Sequence, residues 1–146
     1  MYRILCDSYV LYDPRLPDLF VIEPELTQKK NEPGELSFTI PKEHPNYGVL
    51  EKLKSRIKIY RDDTLIWLGR AIEDDRDVYE NRKVVAEGAL SFLLDSVLRQ
   101  FTFDGTATEL FAWILAAHNA RVNENQRLTL GNCDISGSVG VTTKDY

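Results

Sequence analysis

Few residues in this chain combine the type and the spacing that chemistry demands. There are only two histidines. His44 stands between Glu43 and Pro45 in an expected loop. His118 falls at the end of an expected helix, where a cation suits the dipole. Neither has a second ligand at metal-binding spacing, so both are read as structural. Cys6 and Cys133 lie far apart, and no local Cys–His signature accompanies them. They are read as two reduced, mostly buried thiols. Glu73, Asp74, Asp75 and Asp77 crowd together. Alternate residues of a strand point to opposite faces, and the glycine and spacing of a calcium loop are missing. The cluster is therefore read as the solvated end of a hairpin. No phosphate loop, nucleotide fingerprint or nucleophile elbow is present. Trp67 and Trp113 have rings that stack on sugars, but both sit in periodic segments, where aromatic residues usually belong to the core. The expectation is a chain with no catalytic, cofactor or metal site, and not an enzyme. A small hydrolase is the weakest reading, since no nucleophile–base pair is visible.

The elements that would position these residues are mostly strands. Residues 56 to 88 organise the chain as three strands and two tight turns. Ile57 and Ile59 alternate with Arg56, Lys58 and Tyr60, the period of a half-buried strand. Arg61-Asp62-Asp63 supplies turn chemistry. In the second strand Ile66, Leu68, Arg70 and Ile72 share one face, and Leu65, Trp67, Gly69 and Ala71 share the other. A strand apolar on both faces calls for cover on both. Tyr79-Glu80-Asn81 makes the second turn, and Val84, Val85 and Ala86 carry the third strand.

Upstream, Tyr2 to Cys6 and Tyr9 to Tyr12 read as short strands around Asp7-Ser8. Asp13-Pro14 and Leu16-Pro17 mark a loop. Phe20 to Lys30 reads as a strand that Pro24 confines to an edge or a bulge. After the turn Asn31-Glu32-Pro33-Gly34, Leu36, Phe38 and Ile40 alternate with polar residues. Pro45-Asn46 predicts a short helix with Asn46 as N-cap and an apolar face of Tyr47, Leu50 and Leu53. Downstream, Leu90, Leu93, Leu94, Val97 and Leu98 have the spacing of an amphipathic helix that packs on the sheet. Phe101 and Phe103 predict a strand. Thr106 and Glu109 predict a capping box opening a helix through about His118, with Leu110, Trp113, Ile114 and Ala117 on one face. From Arg127 onward, short strands are separated by Gly131, Gly137 and Gly140. The closing residues, VGVTTKDY, predict no terminal helix.

The chain has 146 residues, 43% hydrophobic and 28% charged, which is ordinary for a soluble globular protein. That length suggests one domain, or one domain plus part of another. The net charge of −5 argues against a nucleic-acid-binding module, which usually shows a basic face. The N-terminal MYRILCDSYV is no convincing signal peptide. No apolar run approaches the ~20 residues that span a bilayer.

Several segments together resemble a known family. They are Leu36-Ser37-Phe38-Thr39-Ile40-Pro41 followed by His44-Pro45; Ile57-Lys58-Ile59-Tyr60, a turn, then Trp67-Leu68-Gly69 and Ile72; Ala86-Glu87-Gly88-Ala89-Leu90 with Leu93, Leu94 and Asp95-Ser96; and finally Leu110-Phe111, Ile114-Leu115, His118-Asn119 and Leu130-Gly131-Asn132. In order and spacing over roughly residues 30–135 they resemble the N-terminal minor structural region of phage tail-tip hub proteins. These are also called tail-associated or prophage endopeptidase tail proteins. Trp67 departs from the pattern, where phenylalanine is more common.

The resemblance implies kinship with the trimeric baseplate hub of contractile phages. Such hubs build tail-tube-like barrels, two per chain, into a pseudo-sixfold ring that continues the tail tube. The implied fold is α+β, mainly β: a tail-tube-like antiparallel β-barrel or sandwich with short helices over residues 1–100, then the start of an accessory α/β domain over 101–146. Family members are typically longer, so the chain is expected to be part of a larger protein; some members carry a separate peptidase or lysozyme domain much further along, and nothing in these 146 residues matches one. The implied partners are two sister chains in a homo-trimer, the distal tail protein and the tape measure protein. DNA would meet the chain only in transit through the lumen. The implied location is the virion tail tip, after synthesis in the bacterial host cytoplasm. The rival expectation is a carbohydrate- or receptor-binding β-domain using Trp67 or Trp113.

Overall fold

The computed structural model describes residues 1–143. The chain divides into two compact units, Met1–Ser91 and Phe92–Tyr146. It is mainly β, as the alternating patterns predict.

The first unit is one curled, antiparallel half-barrel sheet of seven strands. They are β1 (Tyr2–Cys6), β2 (Tyr9–Tyr12), β3 (Ile22–Thr27), β4 (Glu35–Ile40), β5 (Arg56–Arg61), β6 (Thr64–Arg76) and β7 (Arg82–Gly88). Their order across the sheet is β2-β1-β5-β6-β7-β4-β3. The meander β5-β6-β7 forms its centre, as the sequence predicts. Hairpin β1–β2 adds to β5, and hairpin β3–β4 adds to β7. Register follows burial. Ile4 lies opposite Ile59, Cys6 opposite Ile57, Leu36 opposite Ala86 and Phe38 opposite Val84. All of these point to the concave face and are buried, together with Leu11, Ile40, Leu50, Trp67 and Ala71. A one-residue slip would turn this whole set outward, so burial fixes the register. On the other face of β6, Leu68 and Ile72 are half-buried, whereas Ile66, left unpaired in the ladder with β5, packs against the core.

Two bulges bend β6, one beside Ile59/Tyr60 and one between Ala71 and Glu73. Bulges raise local twist and curl a sheet. Glycines tighten the centre. A Cβ on Gly69 would stand 2.3 Å from Trp67 Cη2, and one on Gly88 would stand 1.7 Å from the Pro33 carbonyl oxygen. The Trp67 indole therefore lies against bare backbone. Its Nε1 has no hydrogen-bond partner among the described residues.

Two expected helices are absent. Residues 45–48 form turns instead. Asn46 caps no helix: its Nδ2 donates to the Val10 carbonyl (2.8 Å), and its N–H donates to His44 Nδ1 (3.0 Å). The expected stripe at 90–98 also fails. Ala89–Asp95 is a short 3-10 helix, leaving Leu94 and Val97 each 82% exposed while Ser91 and Phe92 are buried. With about three residues per turn, the five apolar positions no longer share a face. Ser91 Oγ, bonded to the Gly88 carbonyl at 2.8 Å, anchors its start.

The second unit contains β8 (Thr102–Thr106), α1 (Ala107–Asn119) and β9 (Ser138–Thr142), with β8 and β9 paired antiparallel. The capping box is present: Thr106 Oγ1 accepts from the Glu109 N–H, and Glu109 Oε2 accepts from the Thr106 N–H. The apolar face of α1 is only partly covered. Leu110, Ile114 and Ala117 are half-buried, and Trp113 is 40% exposed while packing on Phe101 at 4.4 Å between ring centres. The expected end, Lys144-Asp145-Tyr146, lies outside the described residues.

Candidate functional site

A curled sheet whose outermost strands do not meet must leave an opening, and here the opening is a cleft of about 660 Å³. Buried Ile4, Leu36 and Ile59 make its floor. Tyr12 of β2 stands on one side, and Pro24 and Leu26 of β3 on the other. Tyr2, Gln28, Arg61 and Ile66 form the rim. The cleft thus follows from topology: the two ends of the strand order, β2 and β3, border the same cavity. Its volume falls within the usual range for binding cavities.

Both edges beside the cleft are blunted. The loop after β4 is laced onto β2 by Asn46 and by His44, whose Nε2 donates to the Leu11 carbonyl at 2.8 Å. A carbonyl can only accept, so Nε2 carries the proton and Nδ1 accepts from Asn46. On β3, Pro24 removes a donor, and the ladder is irregular between Ile22 and Glu25. Side-chain cover, proline and bulges are how natural sheets discourage strand addition. Recognition at this cleft therefore rests on side chains.

At the opposite end of β6, the turn to β7 is tightly held. Asp77 Oδ1 accepts from the Tyr79 and Asn81 N–H groups (2.8 and 3.0 Å), and Asp77 Oδ2 accepts from Asn81 Nδ2 (3.0 Å). Lys42 pairs with Glu80, and the Tyr47 hydroxyl donates to the Glu80 carbonyl. Hydrogen bonds from Asn81 hold the Asp77 carboxyl below the usual range. The acidic cluster is thus split by role. Asp77 builds the turn, whereas Asp74 turns inward to a bidentate pair with buried Arg82 (3.0 and 2.6 Å).

The remaining candidate residues are placed as follows. Cys6 is buried and Cys133 half-buried, both as free thiols. Burial pushes the Cys6 thiol up to about 11, which keeps it protonated and unreactive at neutral pH. Trp67 is buried and offers no sugar platform. His118 is buried at the end of α1, with Nε2 donating to the Gln126 carbonyl (3.0 Å) and Nδ1 bonded to Ser96 Oγ at 2.7 Å. Sequence reasoning misses this Ser–His pair, because its members stand far apart and no local signature marks them. A serine donating to a histidine is the start of a nucleophile–base arrangement. Here the ring is 1% exposed and both its nitrogens are engaged, so the pair pins the loop carrying Gln126 to α1.

No protein-family model matches the chain, and no curated protein matches it. Among the described residues, no helix is long and apolar enough to cross a membrane.

Proposed function

We propose that the chain is a structural piece of a bacteriophage or prophage tail tip, part of the hub ring that continues the tail tube. The observation that supports this reading most is the curled antiparallel sheet of Met1–Ser91, built around a long central hairpin. A half-barrel of this kind suits a wall segment of a tube. Hydrogen bonds and packing are spent on rigidity: His44, Asn46, Arg82 and Asp77 all fasten loops to the sheet. Three of the segments that carry the family resemblance lie on this same frame. Leu36–Pro41 is β4 and its exit, Trp67–Gly69 is the glycine-backed centre of β6, and Glu87–Gly88 ends β7. In this role the protein performs no reaction. Its partners are two sister chains, the distal tail ring and the tape measure protein.

The test is made on the longer natural protein that contains this chain. Light scattering should give a trimer, and electron microscopy should show a ring with an axial channel that binds the distal tail protein. A stable monomer at about 10–50 µM, the range in which specific assemblies of ordinary interface size are formed, with no ring and no such binding, would overturn the hub reading.

A further inference from the structure

Two features at opposite ends of β6 fit one another. One is a knob. At the β6–β7 turn, Val78 is 90% and Tyr79 77% exposed, the barest large apolar pair on the sheet unit. Loose apolar side chains on a mobile tip would need no explanation. These are held by the Asp77 hydrogen bonds, the Glu80–Lys42 pair and the Tyr47 hydroxyl, so the turn is rigid while its apolar tip is uncovered. A tyrosine on a pre-ordered support loses little freedom on binding and is a common anchor of interfaces. The other feature is a hole, the cleft bounded by Tyr12 and Leu26, with room for a tyrosine and a valine side chain together. Arg61 lines the hole, and the knob is flanked by Asp77, whose carboxylate meets only neutral donors within the turn and so keeps its charge, and by Glu80, which is paired with Lys42.

We propose that these two surfaces bind each other between copies of this chain: the Val78–Tyr79 knob of one copy enters the β2/β3 cleft of the next. Ile66 at the rim of the hole and Arg76 at the foot of the knob stand ten residues apart along β6, roughly 30 Å at the usual rise per residue. A copy therefore cannot satisfy its own hole. Because the two surfaces differ, the contact is heterologous, and repetition gives a closed ring or an open fibre. Blunted edges agree with this arrangement, because knob-in-cleft contact needs no backbone pairing. The inference stands on these two features, independently of the hub reading, and supplies the residues of a neighbour-to-neighbour contact.

A single knob makes a small interface, so association of the 146-residue chain should be weak and concentration-dependent up to about 1 mM. Sedimentation equilibrium measures it, and amide chemical shifts on dilution locate it, with changes expected both at Val78–Tyr79 and around Leu26 and Arg61. The double variant Val78→Ser/Tyr79→Ser removes the knob. Arg61→Glu reverses the charge at the hole on an exposed side chain. Each alone should weaken self-association at least tenfold, with circular dichroism showing that the fold is retained. An equimolar mixture of the two keeps one intact knob and one intact hole, and should form a 1:1 dimer that grows no further. Three results would each overturn the proposal: no concentration dependence up to that limit, association that survives both variants, or a mixture that stays monomeric. None of these bears on whether the longer protein forms a ring through other faces.

Discussion

Arg82 fastens the loop 41–55 to the sheet from a nearly buried position. Its guanidinium meets both carboxylate oxygens of Asp74, donates to the Tyr47 and Leu50 carbonyls, and lies over the Tyr47 ring at 5.5 Å. Removing it would leave a carboxylate and two carbonyls without their donor. Arg82→Met should therefore cost about 3–5 kcal/mol, read as a lower midpoint in denaturant. Adding Asp74→Leu should recover much of the loss, because the stranded charge is then gone too. Asp13 gives a pH signature. Its side chain, hydrogen-bonded by Arg15, is held at about 2 against an ordinary 3.8. A depressed carboxyl contributes stability above its unfolded value and loses it as protons bind the folded form. The melting difference between wild type and Asp13→Asn should be full above pH 4 and should fade as pH drops from 3.8 toward 2. A difference that persists at pH 2 would show that the Arg15 contact is not its source.

At the scale of elements, the 3-10 helix Ala89–Asp95 reverses the importance that hydropathy assigns to its residues. Leu94 is 82% exposed, and Phe92 is buried. Leu94→Ala should change stability by no more than about 0.5 kcal/mol, as surface substitutions do. Phe92→Ala should cost about 3–5 kcal/mol. Thermal or denaturant unfolding of the two variants side by side checks the reversal. Equal costs would restore the amphipathic α-helix. The β6–β7 hairpin shows a related point. A long pair of strands costs little to extend once its register is set, so it can carry the Val78–Tyr79 tip away from the core without loosening it.

For the whole molecule, every residue of the buried apolar cluster lies within Met1–Ser91, from Ile4 to Ala86. A unit that holds its own core should fold by itself. Residues 1–91 expressed alone should unfold cooperatively, with the near-ultraviolet signal of a buried Trp67 lost in one transition. A broad, featureless transition would mean that residues beyond Ser91 complete the core. At this scale the hub proposal and the knob-in-cleft contact make separate demands. The first needs a ring of the longer protein, the second only weak head-to-tail association of this chain.

Local rules determined most of the strands and the one long helix. Period-two alternation at Leu36–Ile40 and Ile57–Ile59, turn residues at Arg61–Asp63 and Tyr79–Asn81, and the Thr106–Glu109 capping box each act over a few residues, so the sequence displays them directly. Their outcome hardly depends on distant parts of the chain. The tertiary structure decided what spacing cannot express. Leu90 to Leu98 have an α-helical stripe, but the chain there tightens into a 3-10 turn that leaves Leu94 and Val97 in solvent. Asn46, a good N-cap by type, serves a strand thirty-six residues away in place of a helix. The cleft depends on Tyr12 and Leu26 being brought to the two rims of one curled sheet, and the Ser96–His118 pair on a loop closing back onto α1. Such juxtapositions join residues with no periodic relation. They arise only once burial of the concave face has fixed register and bulges have fixed the curl, which is why no local pattern announces them.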